Sequence, residues 1–243
     1  MDEKLRRVAV VTGASRGIGL AIVTKLAAEG FDVAACSRVR SDGLEAVMAC
    51  HPAVRFFLFD LADVESVTSC AQHLHKAHAR IDVLVNAAGI AAGGLFSMTR
   101  VEDMKRVFDI NYFHQILFTQ YVAKKMMRAR SGSIVNIASV AGSRADAGTL
   151  SYGGSKAALI HATGVLATEL GPFDIRVNAI SPAVVETDMA AEMDEKARAV
   201  LNERSALGGE IKPADVAGLV SFLVSEAASK MTGQILCLDR GLH

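Results

Sequence analysis

Arg7-Val8-Ala9-Val10-Val11-Thr12-Gly13-Ala14-Ser15-Arg16-Gly17-Ile18-Gly19 carries an apolar strand straight into a glycine-rich turn, and a helical apolar spacing over Ile18 to Glu29 follows at once. A glycine pattern between a strand and a helix has a specific physical use. The glycines allow a tight turn and close approach of the backbone to a pyrophosphate, whose charge the amino end of the helix stabilises. Gly13, Ser15, Arg16, Gly17, Ile18 and Gly19 are therefore read as a dinucleotide cradle.

Outward from that stretch, short apolar runs alternate with longer helical patterns. Arg7 to Thr12, Val33 to Cys36, Val54 to Phe59, Val83 to Val85, Ser133 to Ala138, Ile175 to Ile180 and Ile235 to Leu238 read as strands. Ile18 to Glu29, Val64 to Ala77, Val101 to Met127, Leu150 to Leu170 and Ala214 to Ser225 read as helices. About seven strands separated by helices predict an α/β chain, a doubly wound parallel sheet with helices on both faces. No repeat or linker divides the 243 residues, so one domain over 1–243 is expected. Residues 183–212 have weak periodicity after a strand's carboxyl end and are expected to form a substrate-side lid.

Twenty-six basic residues balance twenty-six acidic ones, which gives no footprint for nucleic acid. Cys36, Cys50, Cys70 and Cys237 lack metal spacing and are expected to be buried, reduced thiols, and His73, His75 and His78 to be solvated; no metal site is expected. The charged amino terminus leads into an apolar run too short for a membrane span, so a soluble, cytoplasmic chain with no membrane partner is expected.

The second strand ends in Cys36-Ser37-Arg38, with no carboxylate to hold ribose hydroxyls, and Asp32 is at its other end. Ser37, Arg38 and Arg16 are expected to converge on a 2′-phosphate, which favours NADP(H). Asp60 and Leu61 follow the third strand and are assigned to the adenine amino group and ring edge. Asn86-Ala87-Ala88-Gly89 follows the fourth; its small residues leave room for ribose and its amide can tie strands together.

Tyr152 and Lys156 lie four apart in Ser-Tyr-Gly-Gly-Ser-Lys, thirteen residues after Ser139. A helix puts positions i and i+4 on one face, so an ammonium beside a phenol is expected to lower its pKa toward the range of a general acid.

These motifs, in this order and spacing, resemble the short-chain dehydrogenase/reductase family over essentially the whole chain. The matching residues are Thr12 to Gly19, Asp60, Asn86 to Gly89, Asn111, Ser139, Tyr152, Lys156 and Asn178-Ala-Ile-Ser-Pro182 through to Thr187. Within the family the chain is most similar to 3-oxoacyl-[acyl-carrier-protein] reductases, through Glu186-Thr-Asp-Met189 and Met231-Thr-Gly-Gln. The resemblance implies a single-domain Rossmann-type fold, a homotetramer, and an NADPH-dependent reduction of a ketone, with a 3-oxoacyl thioester as the leading substrate. A reductase of a free small ketone or secondary-metabolite alcohol is the alternative, and a non-catalytic NADP sensor a remote one.

It also implies that Tyr152 protonates the carbonyl oxygen, that Ser139 donates a second hydrogen bond to it, and that Lys156 lowers the phenol pKa and binds ribose. Asn111 would hold a water that resupplies protons; Pro182, Val185 and Thr187 would line the nicotinamide. Three departures stand out: Pro182-Ala183 replaces Pro-Gly, Asp239-Arg240-Gly241 replaces Asp-Gly-Gly, and of two basic residues that serve an acidic acyl carrier protein only Arg130 is present, the second falling at Phe173. Arg130 is expected at the rim of the cleft.

Overall fold

Alternation along the first strand decides how the layers stack. In a computed structural model that describes residues 6–191, 201 and 203–242, Val8 and Val10 enter one core and Ala9 and Val11 the other, all four buried. A strand covered on both faces belongs inside a parallel sheet with helices on each side. The strands are β1 Val8–Thr12, β2 Asp32–Ser37, β3 Val54–Leu58, β4 Val83–Asn86, β5 Gly132–Ile137, β6 Ile175–Pro182 and β7 Ile235–Leu238. They pair in the order β3-β2-β1-β4-β5-β6-β7, every pair parallel. The order reverses between β1 and β4, and at such a switch point the loops diverge and leave a crevice beyond the strands' carboxyl ends.

Helices α1 (Gly17–Ala28) and α2 (Asp42–Cys50) cover one face; α3 (Val64–Ala77) covers the other. In α3, Val67, Cys70, Ala71 and Leu74 are buried at the spacing of one helical face. Its amino end is capped by Asp63, which accepts from the Glu65 amide at 2.9 Å. Its carboxyl end is closed from outside, by Lys125 Nζ donating to the His75 carbonyl (2.7 Å) and the His78 carbonyl.

The stretch expected as one helix from Val101 to Met127 is instead α4 (Val101–Phe108), a π-helical turn over Asp109–Phe113, and α5 (His114–Ala129). The extra residue of a π turn locally reorients the side chains, and Asn111 sits inside it. Among the described residues there follow α6 (Leu150–Leu170), with the same bounds as its apolar pattern, the short α7 (Asp188–Ala191), and α8 (Pro213–Val224), which packs with α1. Helix α2 had no strong pattern because Leu44 is its one buried residue; Ser41 starts it by accepting from the Leu44 amide at 3.2 Å. Of the expected lid, residues 192–200 and 202 lie outside the described residues. The rest forms α7 and a returning limb whose Ile211 bridges Val185.

Two surface expectations are corrected. Cys36 and Cys70 are buried, but Cys50 and Cys237 are exposed, because they occupy the outer face of α2 and the edge strand β7. His73 is exposed, whereas His78 is only 5% exposed, its ring tilted against Phe57 with centroids 6.0 Å apart and its Nδ1 3.4 Å from Arg55. No helix among the described residues is long and apolar enough to cross a membrane.

Burial, then the charges of Arg55 and Lys125, lowers the His78 pKa from 6.5 against an opposing pull from Asp32, and burial lowers His75 likewise. A base with a folded pKa below its unfolded one contributes stability that is fully present above pH ~6.5 and is lost as pH falls from there through the lowered folded pKa. Urea unfolding of wild type should therefore weaken between pH 7 and roughly 5.5, and His78→Leu should flatten part of that slope. Parallel pH curves for the two proteins would remove His78 as the cause.

Candidate active site

Gly13 follows β1 with φ +69°, and a Cβ there would come 3.0 Å from the backbone of Ala88; at Gly19 one would meet the Gly13 carbonyl oxygen at 2.1 Å. Only glycine fits either place. The turn thus folds back on itself and against the loop after β4, and α1 begins at Gly17 with its free amides facing the crevice. The Ser15 carbonyl accepts from the Ser41 hydroxyl, so α2 braces the turn from behind.

Thr12, which the sequence reading had not assigned to the site, joins the two loops. Its buried hydroxyl accepts from the amides of Ala87 and Ala88, both at 3.0 Å, and donates to the Val85 carbonyl at 3.4 Å. Its signals were its place at the head of the Thr12 to Gly19 motif and a hydroxyl at the last residue of a strand, before the glycine turn.

Asn86 and Asn136 are register partners on β4 and β5. The Asn86 Nδ2 donates to the Thr119 hydroxyl and to Asn136 Oδ1, and the Asn136 Nδ2 donates to the Thr163 hydroxyl, each at 2.9 Å. All four residues are buried. The ladder fastens α5 and α6 to the two strands whose carboxyl ends face the crevice. Each buried bond contributes about 0.5–1.5 kcal/mol, and an orphaned partner costs more.

Ser139 follows β5 and caps the turn Val140–Gly142, its oxygen accepting from the Ala141 amide at 3.2 Å. The same side chain stands near enough to the Tyr152 phenol to pull its pKa down. One helical turn on, Lys156 is 5% exposed; its Nζ lies 5.8 Å from the Tyr152 ring centre and donates to the Ile137 carbonyl at 2.8 Å. Burial lowers the Lys156 pKa to about 8. The expectation that this cation lowers the phenol is corrected: burial raises Tyr152 above its ordinary value, and the opposing pull comes from Ser139.

Asn111 is fully buried in the π turn. Its amide clamps Ile90, accepting from that residue's N–H and donating to its C=O, both at 2.9 Å, and donates its other proton to Ser155 at 3.1 Å. Ser155 in turn donates to the Tyr152 carbonyl at 2.7 Å. Asn111 thus joins the β4 loop to the helix that carries the phenol. Both amide protons are spent, so a water at this residue would meet an oxygen.

The nucleotide side shows further differences. Arg16, expected to converge with Arg38, ion-pairs with Asp188 of α7 at 3.2 Å. Both partners are well exposed, so the pair is weak and exchangeable. Arg38 is exposed, and Ser37 is buried with its hydroxyl on the Val39 carbonyl at 3.0 Å. Asp60 turns one oxygen to the Ala62 amide at 2.9 Å. Leu61, expected at the adenine edge, is 5% exposed and packed in the core of α3 and α5, which leaves little of it to meet a ring. Pro182 closes β6; Val185 is buried, and the Thr187 methyl lies 3.2 Å from where a Cβ on Gly17 would stand.

Arg130 is not at the rim of this cleft. It precedes β5 while Ser139 follows it, so a six-residue strand, about 20 Å, separates them. Its guanidinium donates to the Pro172 carbonyl at 2.8 Å and lies 5.9 Å from the centre of the Phe173 ring. The phenylalanine that replaces the second basic residue is a partner of the first.

A family profile described as Enoyl-(Acyl carrier protein) reductase matches residues 13–243. The chain is 36% identical over 247 residues to the 3-oxoacyl-[acyl-carrier-protein] reductase FabG of Aquifex aeolicus, with 100% of each chain covered. It is 35% identical over 243 residues to the acetoacetyl-CoA reductase of an Acinetobacter species, with 98% of each covered. Among solved structures, YwfH, an NADPH dependent reductase involved in bacilysin biosynthesis, superposes with a TM-score of 0.91 at 29% identity, over 98% of each chain.

Thr12→Val keeps the shape of the side chain and removes the acceptor for two amides. It should cost about 1–3 kcal/mol, or roughly 2–4 °C in Tm per kcal/mol, with Thr12→Ser recovering most of the loss. Calorimetry showing Thr12→Val as stable as wild type would mean that the two loops are joined by something else.

Proposed function

The chain belongs to the short-chain dehydrogenase/reductase family, oxidoreductases that act on CH–OH groups, and on that premise we propose that it uses NADPH to reduce the ketone of a 3-oxoacyl thioester. The observation that carries this reading is the Ser139 side chain beside the half-buried Tyr152 phenol, one helical turn from a buried Lys156, at the carboxyl end of β5.

The residues fit a dinucleotide. The two glycine close approaches leave a bare backbone cradle, α1 presents its amino end to it, and the end of β2 offers Ser37 and exposed Arg38 where a carboxylate would select NAD. Gly13, Ser15, Gly17, Ile18 and Gly19 would hold the pyrophosphate, with Arg38 and a released Arg16 on the 2′-phosphate. Asp60 would meet the adenine; Asn86, Ala87 and Gly89 the ribose; Lys156, Pro182, Val185 and Thr187 the nicotinamide end. The cofactor supplies hydride to the carbonyl carbon. Ser139 and Tyr152 donate to the carbonyl oxygen as negative charge builds on it, and Tyr152 gives up its proton there. A raised phenol pKa keeps that proton in place at neutral pH, and the Lys156 cation stabilises the phenolate left behind.

The placement of Arg130 favours a small thioester over a carrier-bound one, since its guanidinium is held by Pro172 and Phe173 at the far end of the sheet. Similarity to an acetoacetyl-CoA reductase agrees with that choice. Reduction of a free ketone is the second reading, favoured by the same displacement of Arg130 from the cleft. A homotetramer would cover Val101 and Phe113, each more than half exposed, and the open edge of β7; sedimentation as a monomer would end that part.

With NADPH and a panel of carrier-bound, coenzyme-A-bound and free 3-oxo compounds, the short thioester should turn over best. Tyr152→Phe should lower kcat by about 10²–10⁴ while NADPH affinity stays within about twofold. Wild-type turnover should fall as pH rises through about 8, where Lys156 loses its proton. Unimpaired turnover by Tyr152→Phe would refute the proton-donor role; brisk reduction of free ketones alone would promote the second reading.

Cofactor choice has its own test. Arg38→Asp should lower preference for NADPH by about ten- to a hundredfold, the worth of a charge-assisted phosphate contact of roughly 1.5–3 kcal/mol. Equal use of NADH and NADPH by wild type would show that the end of β2 does not read the phosphate.

A further inference from the structure

Arg240 occupies the left-handed region at φ +60°, where any residue with a Cβ is strained and glycine is not. Strain at one residue persists only when its surroundings over-determine it, and here they do. The guanidinium donates to the carbonyls of Leu207 (3.5 Å) and Gly209. The Arg240 carbonyl accepts from the Leu207 amide at 2.9 Å, the Gly241 carbonyl from the Ala206 amide at 3.3 Å, and Ser205 bridges Leu242 in antiparallel fashion. The carboxyl-terminal turn therefore holds residues 205–209 by main chain and side chain at once.

Two arms run from this clasp to the site. In the first, the held segment continues to buried Ile211, whose carbonyl accepts from the Glu186 amide at 2.9 Å; the next residue is Thr187, against Gly17. In the second, the Leu242 carbonyl accepts from Arg144 at 2.9 Å, and Arg204 pairs with Asp146 at 3.8 Å. The Arg144 amide donates to the Val140 carbonyl at 3.0 Å, in the turn that Ser139 caps. That turn lies against the tyrosine helix so closely that a Cβ on Gly142 would come 2.8 Å from the Lys156 backbone.

We propose that Arg240 is a positioning residue for substrate binding: it pins the segment that returns from the far side of the cleft and so sets that wall's distance from the Ser139 and Tyr152 donors. The proposal rests on the reductase reading of this site. It predicts an effect on how firmly the ketone is held, with little effect on nucleotide binding or on the proton donor itself.

The test compares Arg240→Gly, which suits the backbone angle and loses the guanidinium, with Arg240→Lys, which keeps a cation able to reach one carbonyl. In Arg240→Gly the KM for acetoacetyl-CoA should rise roughly five- to twentyfold, kcat should change less than about threefold, and NADPH affinity less than about twofold, with Arg240→Lys in between. Amide exchange at Ala206 and Leu207 should quicken by at least about tenfold in the glycine variant. A shifted Tm with unchanged KM would mean a purely structural clasp and overturn the proposal, as would unchanged exchange. If wild type reduces no ketone in the panel, the reductase reading fails by itself. The exchange rates at 206 and 207 then decide the clasp: faster exchange supports it, and equal exchange refutes it.

Discussion

Parallel strands end with backbone groups that their neighbours cannot satisfy, and at the switch between β1 and β4 the Thr12 hydroxyl meets that need by serving two amides of the loop after β4 and one carbonyl of β4 itself. Everything on the nucleotide side is built over this junction. The glycine turn can approach Ala88 only because Ala87 and Ala88 are held back against β1. Buried main-chain groups must be paired somewhere, and using a strand's own terminal side chain leaves the crevice mouth free of bulk.

The proton-transfer side obeys a different constraint, the cost of keeping a cation in a dry place. Lys156 is tolerated because a carbonyl of β5 accepts from it and because its pKa falls toward neutrality. The phenol beside it moves the opposite way, and Ser139 restrains that rise. Asn111 contributes stiffness, tying the β4 loop to α6 from within a π turn. Chemistry here depends on three elements kept in fixed register: β5, the helix after it, and the interrupted helix before it.

Much of this was readable in the chain, for identifiable reasons. The strands stood out as short, mostly apolar runs, most clearly β1, β2 and β4, which are buried on both faces, and α3 and α6 matched their patterns residue for residue. Glycine positions were legible since no other residue fits them. The π turn was not, because its apolar spacing continues that of the helices around it. Helix α2 escaped because a single buried leucine makes no stripe. Arg130 was misplaced because the family resemblance overrode chain order: it precedes β5 and Ser139 follows it, which in a parallel sheet puts them at opposite ends. The Arg16–Asp188 pair and the burial of His78 depend on contacts between distant segments, which no local pattern announces.

The ladder from Thr119 through Asn86 and Asn136 to Thr163 has a direction as well as a length. Asn86 spends both amide protons, Asn136 accepts one and passes its own onward, and each threonine gives its hydroxyl hydrogen to the carbonyl four residues behind it. Turning either amide over would set two like groups face to face, so one arrangement of hydrogens is available. Such a quartet works as a unit. A change at one position is tolerated only with a compensating change at the next, and descendants of this chain should vary at these four sites together or hardly at all.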